Sequence, residues 1–285
     1  VPQRRSLQTF STFVQDEIAL VKDQLHLTLG TKVEHNAYTG FEVQPSARVA
    51  WKLSQQQTLW GAISRAVRVP ARIDRELVLP PATFGSPDFD TEKLRAYELG
   101  YRVQPRERLS LSLAAFYNDY NDIRSQEQVN PVGRYPLVFG NKQKGESYGA
   151  ELTADYRVTD WWRLRAGHTE LRVHIRREPD STDTTFGQPE AADSNHYFTL
   201  RSSFDLPRHF EFDPAFRYLS RIDNPSQAVP GYGELDLRLA WKPTSRVEFS
   251  VVGRNLLHDR HAEFGSLPTL QQIQRTVFGK LTFGL

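Results

Sequence analysis

The chain has 285 residues, with 36 basic and 34 acidic residues, a formal net charge of +2, no cysteine and 12% aromatic residues. This near balance of charge gives no indication of nucleic-acid binding, and the absence of cysteine excludes disulfide bonds and thiolate metal sites. No apolar run approaches the roughly 18 residues that a membrane-spanning helix requires, although strands of about 9–11 residues also cross membranes.

Apolar and polar residues alternate in many segments, which is the pattern of strands with one apolar face. At Leu25, Leu27 and Leu29, for example, the intervening residues are His26 and Thr28. About thirteen such strands are predicted. They cover residues 7–20, 24–36, 41–53, 57–69, 93–104, 107–119, 146–158, 161–174, 195–206, 209–220, 231–242, 245–256 and 272–285.

Short and long connections alternate between these strands. Residues 105–106 and 243–244 form short turns, whereas residues 70–92, 120–145 and 175–194 form long loops rich in Pro, Gly, Asp and Asn. Outer-membrane barrels have short turns on one rim and long loops on the other. We therefore predict an all-β fold, a transmembrane antiparallel β-barrel. A soluble β-sandwich is the alternative, and it would mix connection lengths without this order.

The two faces of each strand then acquire different roles, because barrel side chains alternate between lipid and interior. We expect these residues to face lipid: Leu25, Leu27, Leu29, Leu111, Leu113, Leu237, Leu239, Leu281 and Phe283. We expect these residues to line the interior: His26, Lys32, Glu34, Glu98, Arg102, Glu151, Arg165, Asp236, Arg238, Glu248 and Arg254. Aromatic girdles at the membrane interfaces would account for Trp51, Trp60, Trp161, Trp162 and Trp241 near strand ends.

Short motifs occur in a consistent order along the predicted strands. They are FVQDE at residues 13–17, SRAVRVP at 64–70, YELG at 97–100, AFY at 115–117 followed by Asp122 and Ile123, SYGAEL at 147–152, Tyr232 with Asp236, and RNLL at 254–257. Together they resemble TonB-dependent outer-membrane receptors. The final segment, residues 274–285, resembles the last strand of these receptors, with Leu285 in place of the usual aromatic residue and Val67 in place of the usual Phe of the second motif.

The resemblance implies a 22-stranded barrel with an N-terminal plug that binds TonB. Residues 1–285 would be the C-terminal part of that barrel, about strands 10 to 22, with the plug domain absent. About thirteen strands is an odd number, which does not close an all-antiparallel barrel. Either the strand count is off by one or the chain is part of a longer barrel, and we favour the second. The implied location is the cell outer membrane of a Gram-negative bacterium, with outer-membrane lipid around a monomer and no nucleic-acid partner.

The implied function is TonB-dependent uptake of a scarce nutrient, in particular a ferric siderophore complex, with cobalamin or another ligand as the alternative cargo. A passive porin-like channel is the alternative. Arginine beside an aromatic ring suits a large anionic ligand, so the long loops are the candidate ligand-binding segments. The candidate residues are Arg72, Arg75, Phe84, Phe89, Arg124, Arg134, Tyr135, Phe139, Arg176, Arg177 and Phe186. The alternative is that these are ordinary solvated loop residues.

Catalytic and metal sites are not predicted. No GxSxG or other nucleophile motif occurs, so we expect no enzyme, no catalytic residue and no cofactor. His258 and His261 lie three residues apart in a loop, but a metal site needs more ligands. The other possible ligands are interpreted as strand and loop residues: His168, Glu170, His174 and Glu178.

Overall fold

The computed structural model describes residues 4–129, 135–188, 191–224, 227–265 and 270–284. It consists mainly of strands, and the bounds are β1 Thr9–Val21, β2 Leu25–Asn36, β3 Gly40–Ser54, β4 Gln57–Arg68, β5 Val78–Leu79, β6 Thr83–Phe84, β7 Glu92–Arg106, β8 Leu109–Gln128, β9 Leu137–Arg157, β10 Trp162–Arg177, β11 His196–Leu206, β12 Phe210–Leu219, β13 Ile222–Asn224, β14 Gln227–Val229, β15 Tyr232–Thr244, β16 Val247–Arg254, β17 Arg260–Phe264, β18 Gln271–Gln274 and β19 Thr276–Phe283. A short helix, α1, covers Arg72–Glu76, and a single 3-10 turn covers Pro207–His209. Neither helical segment in this described part of the chain is long or apolar enough to cross a bilayer.

The main sheet follows the order of the chain. Its hydrogen-bonded order is β1-β2-β3-β4-β7-β8-β9-β10-β11-β12-β15-β16-β19. Each of these strands corresponds to a predicted one, so the all-β antiparallel prediction is confirmed. β8 and β9 extend further than predicted, to Gln128 and from Leu137. The extension of β8 is mainly polar, and that of β9 is an apolar run at residues 137–139 followed by a polar stretch, so neither shows the apolar alternation from which strands were predicted. The short pairs β5–β6, β13–β14 and β17–β18 lie within the long connections and were not predicted.

Residue contacts divide the chain into two compact units. Unit 1 comprises Val1–Gly100, Ala115–Tyr148 and Arg172–Ala191, and unit 2 comprises Tyr101–Ala114, Gly149–Leu171 and Ala192–Leu285. Each unit contains continuous antiparallel ladders, and each contains long connections with secondary structure of their own.

The register of unit 2 separates an apolar face from a charged face. Leu281 lies opposite Phe249, which lies opposite Trp241. Leu237 and Leu239 are in line with this row, on the same face. The opposite face carries the expected interior charges, and there Arg238 donates to Glu211, Asp213 and Glu248 at 3.0, 2.7 and 2.7 Å. These ionised side chains form with one another the hydrogen bonds that water would otherwise provide.

Unit 1 shows the same separation. Leu25 lies opposite Trp51, which lies opposite Leu59, and Leu27 and Leu29 follow on the same face. His26, Lys32 and Glu34 occupy the other face, as expected. Trp60 corrects the prediction of an outward aromatic girdle. It lies opposite Ala50 on the charged face, where the guanidinium of Arg48 sits 5.4 Å from its ring centroid.

Candidate functional site

The connection between β4 and β7 is held in place by one buried carboxylate in α1. Asp74 is fully buried and accepts hydrogen bonds from Nη1 of Arg68 at 3.0 Å and from the backbone N–H of Ala71 at 2.8 Å. Nη1 of Arg124 lies 3.6 Å from its other oxygen. A buried charge needs such partners, because desolvation otherwise costs several kcal/mol, roughly. Asp74 therefore ties the loop to β4 and β8.

A second carboxylate, that of Glu92, pairs with the guanidinium of Arg68. It accepts hydrogen bonds from Nε and Nη2 of Arg68 at 2.7 and 2.6 Å, and from the backbone N–H of Arg124 at 2.9 Å. The guanidinium of Arg124 also lies 5.4 Å from the ring centroid of Phe139, which is buried. Arg124 and Phe139, both predicted to bind ligand, are thus engaged in holding the loop.

The other candidate ligand-binding residues in the loop at residues 70–92 mainly contact other residues of the chain rather than solvent. Arg72 donates to Glu76 at 2.9 Å. Arg75 donates to the backbone oxygens of Phe89 and Tyr38 at 2.8 and 3.0 Å. Phe89 is fully buried, so its ring does not face solvent in this conformation. Phe84, in β6, is half-buried.

Glu76 is an ionic anchor of this loop. Hydrogen bonds from Arg72 and Tyr38, with Arg5 close by, hold the pKa of the Glu76 carboxyl below its ordinary value. Burial and the hydrogen bond to Glu76 raise the pKa of the Tyr38 hydroxyl. Tyr38 lies in the turn between β2 and β3, so this contact joins two connections of unit 1 that are distant in sequence.

The end of β10 and the connection after it present the predicted ligand-binding residues to solvent. Arg177 donates from Nη1 to the backbone oxygen of Asp183 at 3.2 Å, and its guanidinium lies 4.6 Å from the ring centroid of Phe186. Phe186 is 51% exposed, and Arg176 and Arg177 are exposed as well. Tyr135, before β9, is also exposed, whereas Arg134 lies outside the described residues.

The support for this exposed pair was not visible in the sequence. Asp183 is almost fully buried and accepts hydrogen bonds from the backbone N–H of Gln126 at 2.6 Å and from Nε2 of Gln143 at 2.9 Å. These partners come from β8 and β9. An aspartate between two loop threonines is ordinary in sequence, so only the folded contacts identify it as an anchor.

A buried charge cluster also lies at the outer end of β15 in unit 2. Glu234 is fully buried, with Oε1 2.7 Å from Nδ1 of His258 and Oε2 accepting the backbone N–H of Leu257 at 3.1 Å. Nδ1 of His261 lies 3.1 Å from Glu234, and Nε2 of His261 lies 2.9 Å from Glu263. The contact between Nδ1 of His261 and Glu234 is not aligned as a hydrogen bond. Both loop histidines therefore pair with carboxylates.

The RNL motif acts as a turn that orders this cluster. Asn255 has a φ of 56°, a left-handed conformation that Asn tolerates better than most residues. Its backbone N–H donates to Asp236 at 2.9 Å, and its side-chain oxygen accepts from Nη2 of Arg217 at 2.7 Å. The motif therefore links the end of β16 to β12 and β15.

The histidines and acids set aside from the sequence have separate surroundings. The hydroxyl of Tyr148 lies 3.4 Å from Nε2 of His174, and Nζ of Lys144 donates to Glu178 at 2.9 Å. His168 and Glu170, in contrast, lie beside His196, with possible ligand atoms within 4.8 Å of one another.

Comparison with known proteins gives consistent results. The model of the family described as TonB dependent receptor-like, beta-barrel matches residues 1–256. The iron-regulated outer membrane virulence protein of Vibrio cholerae is 29% identical over 89% of this chain, which spans 41% of that protein.

Solved structures share the fold. The iron transporter of Neisseria meningitidis superposes with a TM-score of 0.78 at 15% identity, covering 97% of this chain and 45% of its own. A mutant of the ferric enterobactin receptor of Pseudomonas aeruginosa gives 0.75 at 15% identity, with coverages of 97% and 45%. These proteins are receptors and transporters rather than enzymes. The chain belongs to the TonB-dependent receptor family, within its β-barrel domain.

Proposed function

We propose that this chain supplies wall strands and outer loops of a TonB-dependent receptor, in the outer membrane of a Gram-negative bacterium, that takes up a ferric siderophore complex. The observation that carries the proposal is the family match over residues 1–256, together with the antiparallel order of the sheet. Relatives named for iron regulation, and a similar receptor solved with enterobactin, support the choice of ligand class.

The chain spans less than half the length of the relatives that it matches. We propose that the complete receptor has further parts, and that the plug and the segment that binds TonB belong to them. β1 and β19 stand at the two ends of the hydrogen-bonded order. Unpaired strand edges in lipid cost several kcal/mol per backbone group, roughly, so both edges would pair with further strands of the same 22-stranded monomeric barrel.

The ligand-contacting surface we propose is the set of exposed residues at the end of β10, in the connection after it and just before β9. Arg176, Arg177 and Phe186 combine positive charge with an accessible ring, and Tyr135 adds a second ring. A guanidinium that already stacks on Phe186 keeps donors for an anionic chelate while the ring offers flat apolar surface. The remaining candidates would instead hold the loops in shape; they are Arg72, Arg75, Arg124, Phe84, Phe89 and Phe139.

The test is iron uptake by cells that carry the complete receptor gene and lack other siderophore receptors. Uptake of radiolabelled ferric siderophore should require TonB, and saturable binding should persist without it. Arg177→Ala and Phe186→Ala should each weaken binding about threefold to thirtyfold, since such contacts contribute about 0.5–2 kcal/mol. Lys142→Ala, which removes an exposed ion pair with Asp180, is the matched control and should bind normally.

Two results would contradict the proposal. Diffusive uptake without TonB, with open conductance in planar bilayers, would support the passive channel. Unchanged binding in the Arg177→Ala, Phe186→Ala double variant would show that the ligand contacts another surface. That result would refute the proposed contact residues but not the proposed transport function.

A further inference from the structure

Three possible metal ligands come together on β10 and β11 in unit 2. Glu170 and His196 are directly opposite each other in the antiparallel register, and His168 precedes Glu170 on the same side of β10. One possible ligand atom from each residue lies within 4.8 Å of those from the other two. The rings of His168 and His196 are stacked, with centroids 6.1 Å apart and planes 17° apart. Neighbouring strands therefore hold the three side chains over one point.

The donor set decides which ions such a cluster suits. Two imidazoles and one carboxylate match the ligands of Zn²⁺, which binds such atoms at about 2.0–2.2 Å in four-coordinate geometry. Mg²⁺ and Ca²⁺ prefer oxygen ligands alone. Ligand atoms around a tetrahedral ion are roughly 3.4 Å apart. Side-chain rotations that move each ligand atom by about 1 Å would therefore bring the three atoms to the distances that an ion requires.

We propose that His168, Glu170 and His196 form a binding site for a divalent transition-metal ion, represented by Zn²⁺. The three protein ligands leave a fourth position for water or an outside ligand. Cu²⁺ should bind more tightly than Zn²⁺, in line with the general order of affinities for these metals. The site does not depend on which nutrient the receptor transports.

The position of the cluster in the sheet fits this role. On the same face of β10, Trp162, Leu164 and Ala166 precede His168. On β11, Phe198 and Leu200 are opposite His168 and Ala166, and His196 comes next. The apolar run therefore ends on both strands where the three ligands begin. Polar ligands at that edge keep access to water, whereas in the middle of the apolar run each would pay a desolvation cost.

Metal binding here would have a structural consequence. An ion held by β10 and β11 bridges two neighbouring strands, and a ligand that binds only the folded state raises stability by mass action. Stabilisation by Zn²⁺ is thus a second readout that does not rely on the binding signal itself.

The experiment uses the complete receptor, which contains this chain, in detergent micelles. Zn²⁺ titration by calorimetry and the visible absorption of bound Co²⁺ should report one tetrahedral site per chain. His168→Gln, Glu170→Gln and His196→Gln should each lower the affinity about tenfold or more. Zn²⁺ should raise the melting temperature of the parent protein and not of these variants.

Two histidine variants serve as matched controls. His174→Gln removes another histidine of β10, and His258→Gln removes one that pairs with Glu234. Both should bind Zn²⁺ as the parent does, and migration on gels before and after heating should show that every variant is folded. The proposal is wrong if the His168→Gln, His196→Gln double variant, shown to be folded, binds Zn²⁺ unchanged. It is equally wrong if the parent binds no more tightly than about 1 mM, or if Mg²⁺ competes equally well.

Discussion

The carboxylate of Glu234 is fully buried in β15 and lies 2.7 Å from Nδ1 of His258, 24 residues further along the chain. It also accepts the backbone N–H of Leu257 at 3.1 Å. This one side chain therefore satisfies the connection that follows the RNL motif, and its removal leaves those donors without their acceptor.

Glu234→Ala should lower the free energy of unfolding by about 1–3 kcal/mol, the cost of leaving buried polar groups unsatisfied. Glu234→Gln should cost less, because its amide oxygen still accepts the N–H of Leu257. Urea unfolding of the complete receptor in micelles, followed by tryptophan fluorescence, measures both. Asp223→Ala removes an exposed ion pair with Arg221 and should have little effect. Equal losses for Glu234→Ala and Asp223→Ala would contradict the structural role of the cluster.

Leu281 and Thr282 test the two faces of β19 with the same substitution. Leu281 faces Phe249 on the apolar face, and Thr282 faces Glu248 on the charged face. Leu281→Arg should destabilise the chain in lipid by about 2 kcal/mol, between the values known for the bilayer midplane and for its interface. Thr282→Arg should be tolerated, since Glu248 can pair with the new charge. Folding yields of the complete receptor into lipid vesicles give the comparison, and equal yields would mean that the lipid-facing side of β19 is misassigned.

Gly100, the glycine of the YELG motif, faces the indole of Trp60. A Cβ at Gly100 would overlap the ring atoms of Trp60. Gly100→Ala should therefore cost about 1–3 kcal/mol through overpacking. The same change in a Trp60→Ala background should cost much less, because the overlapping ring is gone.

Gly279→Ala is the control for this cycle, since a Cβ there would meet no atom within 4 Å. It should be nearly neutral in the same unfolding measurement. If Gly100→Ala costs the same with and without Trp60, the glycine is needed for another reason.

The ion pair of Glu76 should make the loop between β4 and β7 sensitive to acid. Because hydrogen bonds from Arg72 and Tyr38 lower the pKa of Glu76 in the folded chain, its contribution is complete above the ordinary value of 4.5. That contribution is lost as the pH falls through the lowered pKa. Hydrogen exchange, corrected for intrinsic rates, should show faster opening of residues 70–91 in this acid range.

Glu76→Gln should open this loop at neutral pH and abolish the acid-dependent step. Asp88→Asn, in the same loop, should leave the step in place. An unchanged acid step in Glu76→Gln would assign it to another carboxylate.

Some residues that were predicted to contact ligand are buried in the folded loops, although their residue types suit that role. Arginine and phenylalanine in long loops predicted ligand contact equally at Phe89 and Phe186. In the folded chain Phe89 is fully buried, whereas Phe186 is 51% exposed beneath Arg177. Composition cannot separate these cases, because the packing of a loop depends on partners such as Asp74 and Asp183 that are met only after folding.

Residue patterns along the chain were enough to predict the strands of the main sheet, their antiparallel order, the separation of apolar from charged faces and the family. These properties follow from a repeat of two residues and from short motifs, which are local in the chain. The folded chain was needed to show that Glu234 meets His258, that Gly100 faces Trp60 and that His196 lies beside His168 and Glu170. Such contacts join positions distant in sequence, and they depend on strand register and loop closure, which alternation within one strand does not encode.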